Sequence, residues 1–503
     1  MPEISFVTSL EGPFVVLDPI EYPRCPDMGI HQVKSYFPGS KVLYIPPLDW
    51  HFALKDDVEN FKATVGRFFK ESKYVGVSNS LFYDVIPFSS FLKKRGHLPI
   101  LGGQEALDAF LHYYHYNKED NPLEYVVKDG SSLLHLISTL ENTNSIEKMD
   151  GVVHRGKDGL KVGDMSLTKK DLEVIPDFTG SYCLDPFTRD IKELSFQIHP
   201  LLIRYGCPMR CTFCTYDRMA SVPMRMSEEF IGSQLKNIAE NGGKKVFLID
   251  QQPFDSLNNF TRMADGYIED IFFTADPLHF LEESEELKRN VKDNPKTRFH
   301  SFCTSIETFD PESSRRLGKV PIDTESKLEV IMIQRKLAGK YGNFRYRSEN
   351  GMPYQHGLIM FNPWTTLSEL AFNAKILDEY ALSDYFNRAI ILTSELLVKP
   401  YSRVSKELQK PDVRRNTVFK VEPLPPIIEW NYKPNTVGKI QDLAKKFNEY
   451  FANLTFISRI KKGNKEFEMF SYVAIKVLKW LCDNANRLDE IDAEEEMRKL
   501  LIQ

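Results

Sequence analysis

The sequence predicts an α/β protein built in three parts. A Rossmann-like, doubly wound parallel sheet comes first, then a partial (β/α)6 TIM-like barrel, then a C-terminal helical region. Three observations carry this expectation. Short apolar runs alternate with helical patterns over residues 1–145, the alternation resumes with longer helices over 193–405, and two amphipathic helices follow a proline-rich stretch within 406–503. Residues 146–192 read as a connector. At 503 residues the chain is too long for one hydrophobic core.

In the first part the runs Ile4–Val7, Lys41–Ile45, Tyr74–Ser78, Pro99–Leu101 and Tyr125–Val127 are short and rich in β-branched or aromatic residues, as buried strands are. Between them helical spacing is clearest over Asp56–Lys70, Ile86–Arg95 and Ser131–Leu140. Parallel neighbours need a crossover connection, and these helices supply it. Ligands of such sheets bind beyond the carboxyl ends of the strands. There the sequence places Ser78-Asn79-Ser80 and Gly102-Gly103, small enough to let a bulky ligand approach the backbone, or to serve as ordinary turns and caps. The pair Gly151–Arg155 and Lys161–Val162 reads as a hairpin, and Ile175–Phe178 as extended chain.

Strand candidates in the second part are Phe196–Ile203, Lys245–Ile249, Ile271–Thr274, Arg298–Ser305, His356–Phe361 and Ala389–Thr393. Helices are expected over Ser227–Asn241, His279–Val291, Thr324–Ala338 and Ser368–Tyr380. Six such repeats suit a full or partial barrel, whose chemistry sits on loops after the strand carboxyl ends. In the last part Ile440, Leu443, Ala444 and Phe447, and again Phe470, Val473, Ala474 and Val477, recur at helical spacing and read as core packing.

Composition narrows the function. With 42% hydrophobic residues, 27% charged residues and a net charge of −5, the chain is of the soluble globular kind and carries no footprint for bulk nucleic-acid binding. No run approaches the roughly 18 uninterrupted apolar residues of a membrane span, and the first residues lack a basic-then-apolar leader. The expectation is a cytoplasmic protein with no membrane span.

Seven cysteines are present, and Cys207, Cys211 and Cys214 fall within one short segment, Gly206-Cys207-Pro208-Met209-Arg210-Cys211-Thr212-Phe213-Cys214. An odd total with three so close is no disulfide framework. Three thiolates on one loop suit a [4Fe–4S] cluster with one iron left open. Structural zinc wants four ligands, and no second pair of cysteines accompanies these. His112 and His115 share a helix face, but without a third ligand they read as a packed pair.

This segment, Phe213 before the third cysteine included, resembles the signature of the radical SAM superfamily. The resemblance implies that S-adenosylmethionine (SAM) chelates the open iron. Its reductive cleavage then yields a 5′-deoxyadenosyl radical, with electrons from an external donor such as flavodoxin or ferredoxin. Gly242-Gly243 and the strand ending at Asp250 resemble the second strand and glycine pair of that family, with Lys244 where an acidic residue often follows. Thr304-Ser305-Ile306-Glu307 resembles the strand end that contacts the SAM ribose. Gly357 through Thr366, with Asn362, resembles the segment beside the adenine; Thr366 with Glu369 three residues on also makes a helix-capping box.

With its upstream sheet the chain resembles the cobalamin-dependent subfamily. Met28–Val33, Gly76-Val77-Ser78 and Leu101-Gly102-Gly103-Gln104 resemble parts of the cobalamin-binding domain, which implies corrinoid contacts at Ser78, Asn79, Gly102 and Gly103. Asp129-Gly130-Ser131-Ser132 stands where relatives carry a Gly-Glu-Gly-Glu turn. The D-x-H-x-x-G motif that gives cobalt a histidine in some cobalamin proteins is absent, since His31 follows Asp27 at the wrong spacing. The implied activity is methylation of an unactivated centre in a small-molecule or peptide substrate. A cobalamin-independent rearrangement or cyclisation and a non-catalytic iron–sulfur protein are the alternatives.

Overall fold

A computed structural model describes residues 3–9, 28–45, 58–78, 85–103, 122–143, 146, 148–156, 158–184, 190–214, 222–264, 267–319, 322–347, 356–386, 388–398, 402–408, 417–422, 427–432, 435–459 and 465–490, with isolated positions in 106–114. Asn79, Trp50, Cys25, His112 and His115 lie outside the described residues. The chain divides into two compact units, Met1–Gly206 with Arg218–Phe247 and Glu422–Pro426, and Cys207–Asp217 with Leu248–Val421 and Ile427–Gln503.

The first unit holds nine strands in one sheet: β1 (Ile4–Ser9), β2 (Lys41–Ile45), β3 (Tyr74–Ser78), β4 (Leu98–Gly102), β5 (Tyr125–Val127), β6 (Val152–Gly156), β7 (Gly159–Val162), β8 (Ser181–Leu184) and β9 (Ile191–Glu193). Their spatial order is β7-β6-β5-β4-β3-β1-β2-β8-β9. The first five strands are parallel in the order 2-1-3-4-5. This is the flavodoxin-like form of the doubly wound sheet, not the Rossmann order, and its switch point lies between β1 and β3.

Both faces are covered, so the strands read as continuous apolar runs. Val75 and Val77 pack into one core with α2 (Val58–Phe68) and α3 (Val85–Lys94). Tyr74 and Phe6 face the other, under α1 (Met28–Lys34) and α4 (Gly130–Thr143). A Cβ on Gly76 would meet the Phe6 ring at 2.4 Å, so this glycine lets β1 lay an aromatic ring across β3.

The segment expected to be a connector contributes to this sheet. Its predicted hairpin is the antiparallel pair β6–β7, while β8 adds parallel to β2 and β9 folds back antiparallel on β8. Strands of three or four residues are too short for their alternation to stand out in sequence.

Further along the first unit come β10 (His199–Leu202), β11 (Arg204–Tyr205), β12 (Met224–Arg225) and α5 (Glu228–Glu240). The side chain of Gln234 on α5 accepts from Leu202 N at 3.1 Å and donates to Leu202 O at 3.0 Å, replacing a missing strand neighbour. β11 and β12 pair antiparallel and close the stem of the loop that carries the three cysteines.

A second sheet runs β10-β13-β14-β15-β16, with β13 (Lys245–Ile249), β14 (Asp270–Ala275), β15 (Arg298–Glu307) and β16 (Phe344–Arg345); β17 (Gly357–Leu358) also pairs with β15. Strands β14 to β17 are parallel neighbours. The intervening helices are α6 (Phe254–Met263), α7 (Pro277–Glu282), α8 (Ser284–Asp293), α9 (Pro311–Arg316), α10 (Thr324–Lys340) and α11 (Leu367–Glu379). The helix predicted over His279–Val291 is two, because Asp276 caps a helix with Pro277 at its first turn and the chain breaks at Glu283.

Ala389–Thr393, expected as a sixth strand, is helical: α12 (Arg388–Thr393) packs against α13 (Thr436–Arg459) and α14 (Lys465–Asp483). A five-residue apolar run does not distinguish the two periods. Pairing resumes just beyond it as a single bridge, Phe361 to Glu395, with Leu396 N donating to Phe361 O at 2.9 Å. A hairpin of β18 (Thr417–Glu422) and β19 (Ile427–Tyr432) precedes the predicted C-terminal helices. Among the described residues no helix is long and apolar enough to cross a membrane.

Candidate active site

The loop with the three cysteines begins at Gly206, whose φ of +90° turns the chain out of β11. It is then strapped down at Thr212. Its amide donates to Leu317 O at 2.9 Å, its hydroxyl to Arg316 O at 3.1 Å, and its carbonyl accepts from Val404 N at 2.9 Å. Gly318 lies against this strap with φ +66°; a Cβ there would stand 2.8 Å from Thr212 Cγ2 and 3.0 Å from Arg210 O. Cys211 is buried, Cys207 and Cys214 half-buried, and Cys214 N donates to Cys211 O at 3.3 Å.

Burial pushes the Cys207 and Cys211 thiols up to about 11. Without metal they are protonated near neutral pH, so ligation must displace those protons. Three thiols on one loop are the donor set that a [4Fe–4S] cluster takes, each thiolate on a different iron.

Polar groups gather at the carboxyl ends of β14 and β15. Glu307 ends β15 with φ +62°, a left-handed conformation that costs a non-glycine residue about 1–2 kcal/mol. Such strain marks positions whose geometry the surroundings impose. β15 also shifts register twice near this end, against β14 at Phe273/Thr274 and against β17 at Ser305/Glu307. Bulges of this kind re-aim side chains beside sites. Asp276, just past β14, caps α7 with one oxygen and meets Lys319 Nζ at 3.4 Å with the other. Lys319 Nζ also lies 3.6 Å from Glu307. Lys327 donates to Thr308 O at 2.6 Å and Ser314 Oγ at 2.9 Å; its burial, with Lys319 nearby, lowers its pKa to about 8. Cys303 and Ser305 lie half-exposed on β15, and burial pushes the Cys303 thiol up to about 11.

The residues expected to contact SAM divide. Phe213 sits in the cysteine loop, and Ser305 and Glu307 at the end of β15. Asp250 is buried just beyond β13, its Oδ1 accepting from Gln252 N at 2.8 Å. Gln251 and Gln252 lie partly exposed at the same strand end. Asn362 forms a turn: its Oδ1 accepts from Trp364 N at 3.0 Å and its carbonyl from the Tyr432 hydroxyl at 2.6 Å. The capping box of Thr366 and Glu369 is present.

Gly242 and Gly243 require a correction. They lie before β13, at its amino end, opposite the end that Asp250 follows. Gly242, at φ +74°, terminates α5, and a Cβ on Gly243 would collide with His199 and Ile238 at 2.6 Å. Helix termination and packing explain both glycines.

In the first unit Ser78 and Gly102 are register partners, two small residues side by side at the carboxyl ends of β3 and β4. Gly103 follows at φ +102°. Asp129 accepts from Ser132 N at 2.7 Å at the start of α4, and a Cβ on Gly130 would meet the Tyr36 ring at 2.2 Å, so that turn serves packing. His31 is buried and fully engaged. Nδ1 donates to Asp177 O at 2.6 Å and Nε2 meets the Tyr44 hydroxyl at 2.9 Å, leaving no nitrogen for cobalt.

The fold is similar to those of solved S-adenosylmethionine radical enzymes. The solved structure of the cobalamin-dependent S-adenosylmethionine radical enzyme OxsB aligns over 96% of this chain and 72% of its own, with a TM-score of 0.63 at 15% identity. The radical S-adenosylmethionine methyltransferase TsrM from Kitasatospora setae aligns over 84% of this chain, with a TM-score of 0.55 at 12% identity. It does so both with tryptophan substrate and a SAM analogue bound, covering 79% of that chain, and with cobalamin and a [4Fe-4S] cluster bound, covering 78%. No family model matches the sequence. No curated protein matches it by sequence.

Proposed function

We propose that this chain is a cobalamin-dependent radical SAM enzyme that methylates an unactivated centre in a small-molecule or peptide substrate. The observation that carries the reading is the strapped loop of Cys207, Cys211 and Cys214 in a chain that also holds a 2-1-3-4-5 sheet. The second sheet is read here as a partial (β/α)6 barrel, its sixth strand reduced to the Phe361–Glu395 bridge. OxsB and TsrM, named for SAM and cobalamin chemistry, support the assignment through their fold.

The cluster would supply an electron to SAM, and the corrinoid would carry the methyl group. This chain's residues do the positioning. The three cysteines hold the cluster and leave one iron for the amino-acid end of SAM. Ser305 and Glu307, aimed by the bulged end of β15, stand as ribose contacts, with Asp250 just past β13, one strand beyond β14. Ser78, Gly102 and Gly103 offer the corrinoid a small-residue strand end, and Asn79 is kept as a contact on the resemblance alone. With His31 committed to Asp177 and Tyr44, that side chain gives cobalt no lower ligand. Electrons come from a flavodoxin- or ferredoxin-type donor.

Anaerobic reconstitution tests the reading. About four irons per chain, release of 5′-deoxyadenosine under strong reductant and a corrinoid spectrum from cobalamin-supplemented protein are expected. Iron without SAM cleavage would leave an iron–sulfur protein that is no enzyme of this kind. SAM cleavage without bound corrinoid would leave the cobalamin-independent rearrangement or cyclisation.

A further inference from the structure

Lys319 is a buried ammonium whose partners all belong to the candidate site. Its side chain is 9% exposed. Asp276 follows β14 and Glu307 ends β15, so both carboxylates stand at the strand ends where barrel chemistry occurs. The contacts are long, 3.4 Å and 3.6 Å. Lysine–carboxylate contacts elsewhere run from 2.5 Å for Lys476–Asp378 to 3.8 Å for the exposed pair Lys236–Glu240, but Lys319 is the more deeply buried and faces two carboxylates at once. An ammonium drawn tightly onto one carboxylate forms a local dipole, whereas one held off two of them keeps more of its field for a third anion.

The third anion would be a cluster held as thiolates by the cysteine loop. Lys319 adjoins Gly318 and Leu317, the residues packed on and bonded to Thr212 between Cys211 and Cys214. Fields persist in such a dry setting, where solvent screening is weak.

We propose that Lys319, held between Asp276 and Glu307 and tied to the cysteine loop, is the counter-charge that sets the reduction potential of the cluster bound by Cys207, Cys211 and Cys214. The inference rests on the iron–sulfur reading above. Reduction adds one negative charge to the cluster, so a nearby fixed cation favours the reduced form. Lys319 is a positioning residue, because it acts through the cluster's field and touches neither SAM nor substrate in this assignment.

The test is an EPR-monitored redox titration of the full-length, anaerobically reconstituted protein, with iron content measured alongside. Lys319→Met should make reduction harder by about tenfold, 59 mV for one electron, at unchanged iron content. Lys319→Arg should stay near wild type. The double variant Lys319→Met/Asp276→Asn, which restores the net charge, should return toward wild type. Should Lys319→Met not fold, Asp276→Asn alone should make reduction easier. A full-iron Lys319→Met with an unmoved potential, or Asp276→Asn that lowers it, overturns the inference while leaving the cluster reading intact. A wild-type protein that takes up no iron overturns the cluster reading and this inference with it.

Discussion

Gly318→Ala asks whether the strap beneath the cysteine loop holds it in place. Position 318 has φ +66°, which costs an L side chain roughly 1–2 kcal/mol. The added methyl would also stand 2.8 Å from Thr212 Cγ2 and 3.0 Å from both Arg210 O and Thr212 N. Carbon atoms settle at about 3.5 Å or more, so the loop must recede by about 0.7 Å. The bond from Thr212 N to Leu317 O, now 2.9 Å, would stretch to about 3.6 Å and cease to be a hydrogen bond. Losing it adds roughly 1 kcal/mol, for a total of roughly 2–3 kcal/mol. Gly39→Ala is the control: φ is +84°, but no atom lies within 4 Å of the added carbon, so only the backbone cost applies. Denaturant unfolding of both variants and iron content after reconstitution decide the matter. Gly318→Ala should be the less stable of the two and should retain less iron. Equal stability and full iron in Gly318→Ala would refute the claim that this contact seats the loop.

Other outcomes follow from the same contacts. Alanine at Cys207, Cys211 or Cys214 should abolish the characteristic absorbance of a reconstituted cluster, whereas Cys303→Ala should keep its iron; loss of iron in the latter would show that the ligand set is wrong. Asp270, held at about 2 by His300 and by Arg298 in a bidentate pair, should contribute roughly 2–3 kcal/mol that is present above pH 3.8 and lost as pH falls toward 2. Acid unfolding of Asp270→Asn should lack that slope. Lys327 runs the opposite way. Its folded pKa of about 8 lies below its ordinary 10.5, so the unfolded chain binds more protons between those values and stability from this group rises with pH across that window. The difference in unfolding free energy between wild type and Lys327→Met should therefore change from pH 8 to pH 10, and a constant difference would contradict the assigned cause.

The strands were legible where burial on both faces left continuous apolar runs, as in Lys41–Ile45 and Tyr74–Ser78, which the structure reproduces to the residue. Helix starts were legible where a side chain caps them, as Thr366 and Ser227 do. What failed was period without length. Ala389–Thr393 is apolar enough for either element, and only its burial against α13 and α14 made it a helix. Gly242-Gly243 resembled a ligand-binding pair, yet the sequence already set them between a helix and the amino end of a strand, and the structure uses them to end α5 and to pack against His199. The cysteine loop stood out because its three cysteines are local in sequence. Glu307 stood out only as a strand end; its meeting with Asp276 through Lys319 was not legible, since Lys319 lies 43 residues from Asp276 and 12 from Glu307 and the three meet only once β14 and β15 are paired.

The two ends of that strand pair divide the work of the charges. At the amino ends Asp270 and Arg298 are register partners, joined by two bonds of 2.6 Å, with His300 adding a third at 2.7 Å. Every lone pair so engaged stabilises the fold and leaves little field for anything else. At the carboxyl ends of the same strands, an ammonium stands off two carboxylates, and one of these sits on a strained backbone beside a bulge. A sequence selected for stability alone would close those pairs, as it does at Asp270. Leaving them open costs stability, and in the proposed reading the unspent charge acts on the cluster.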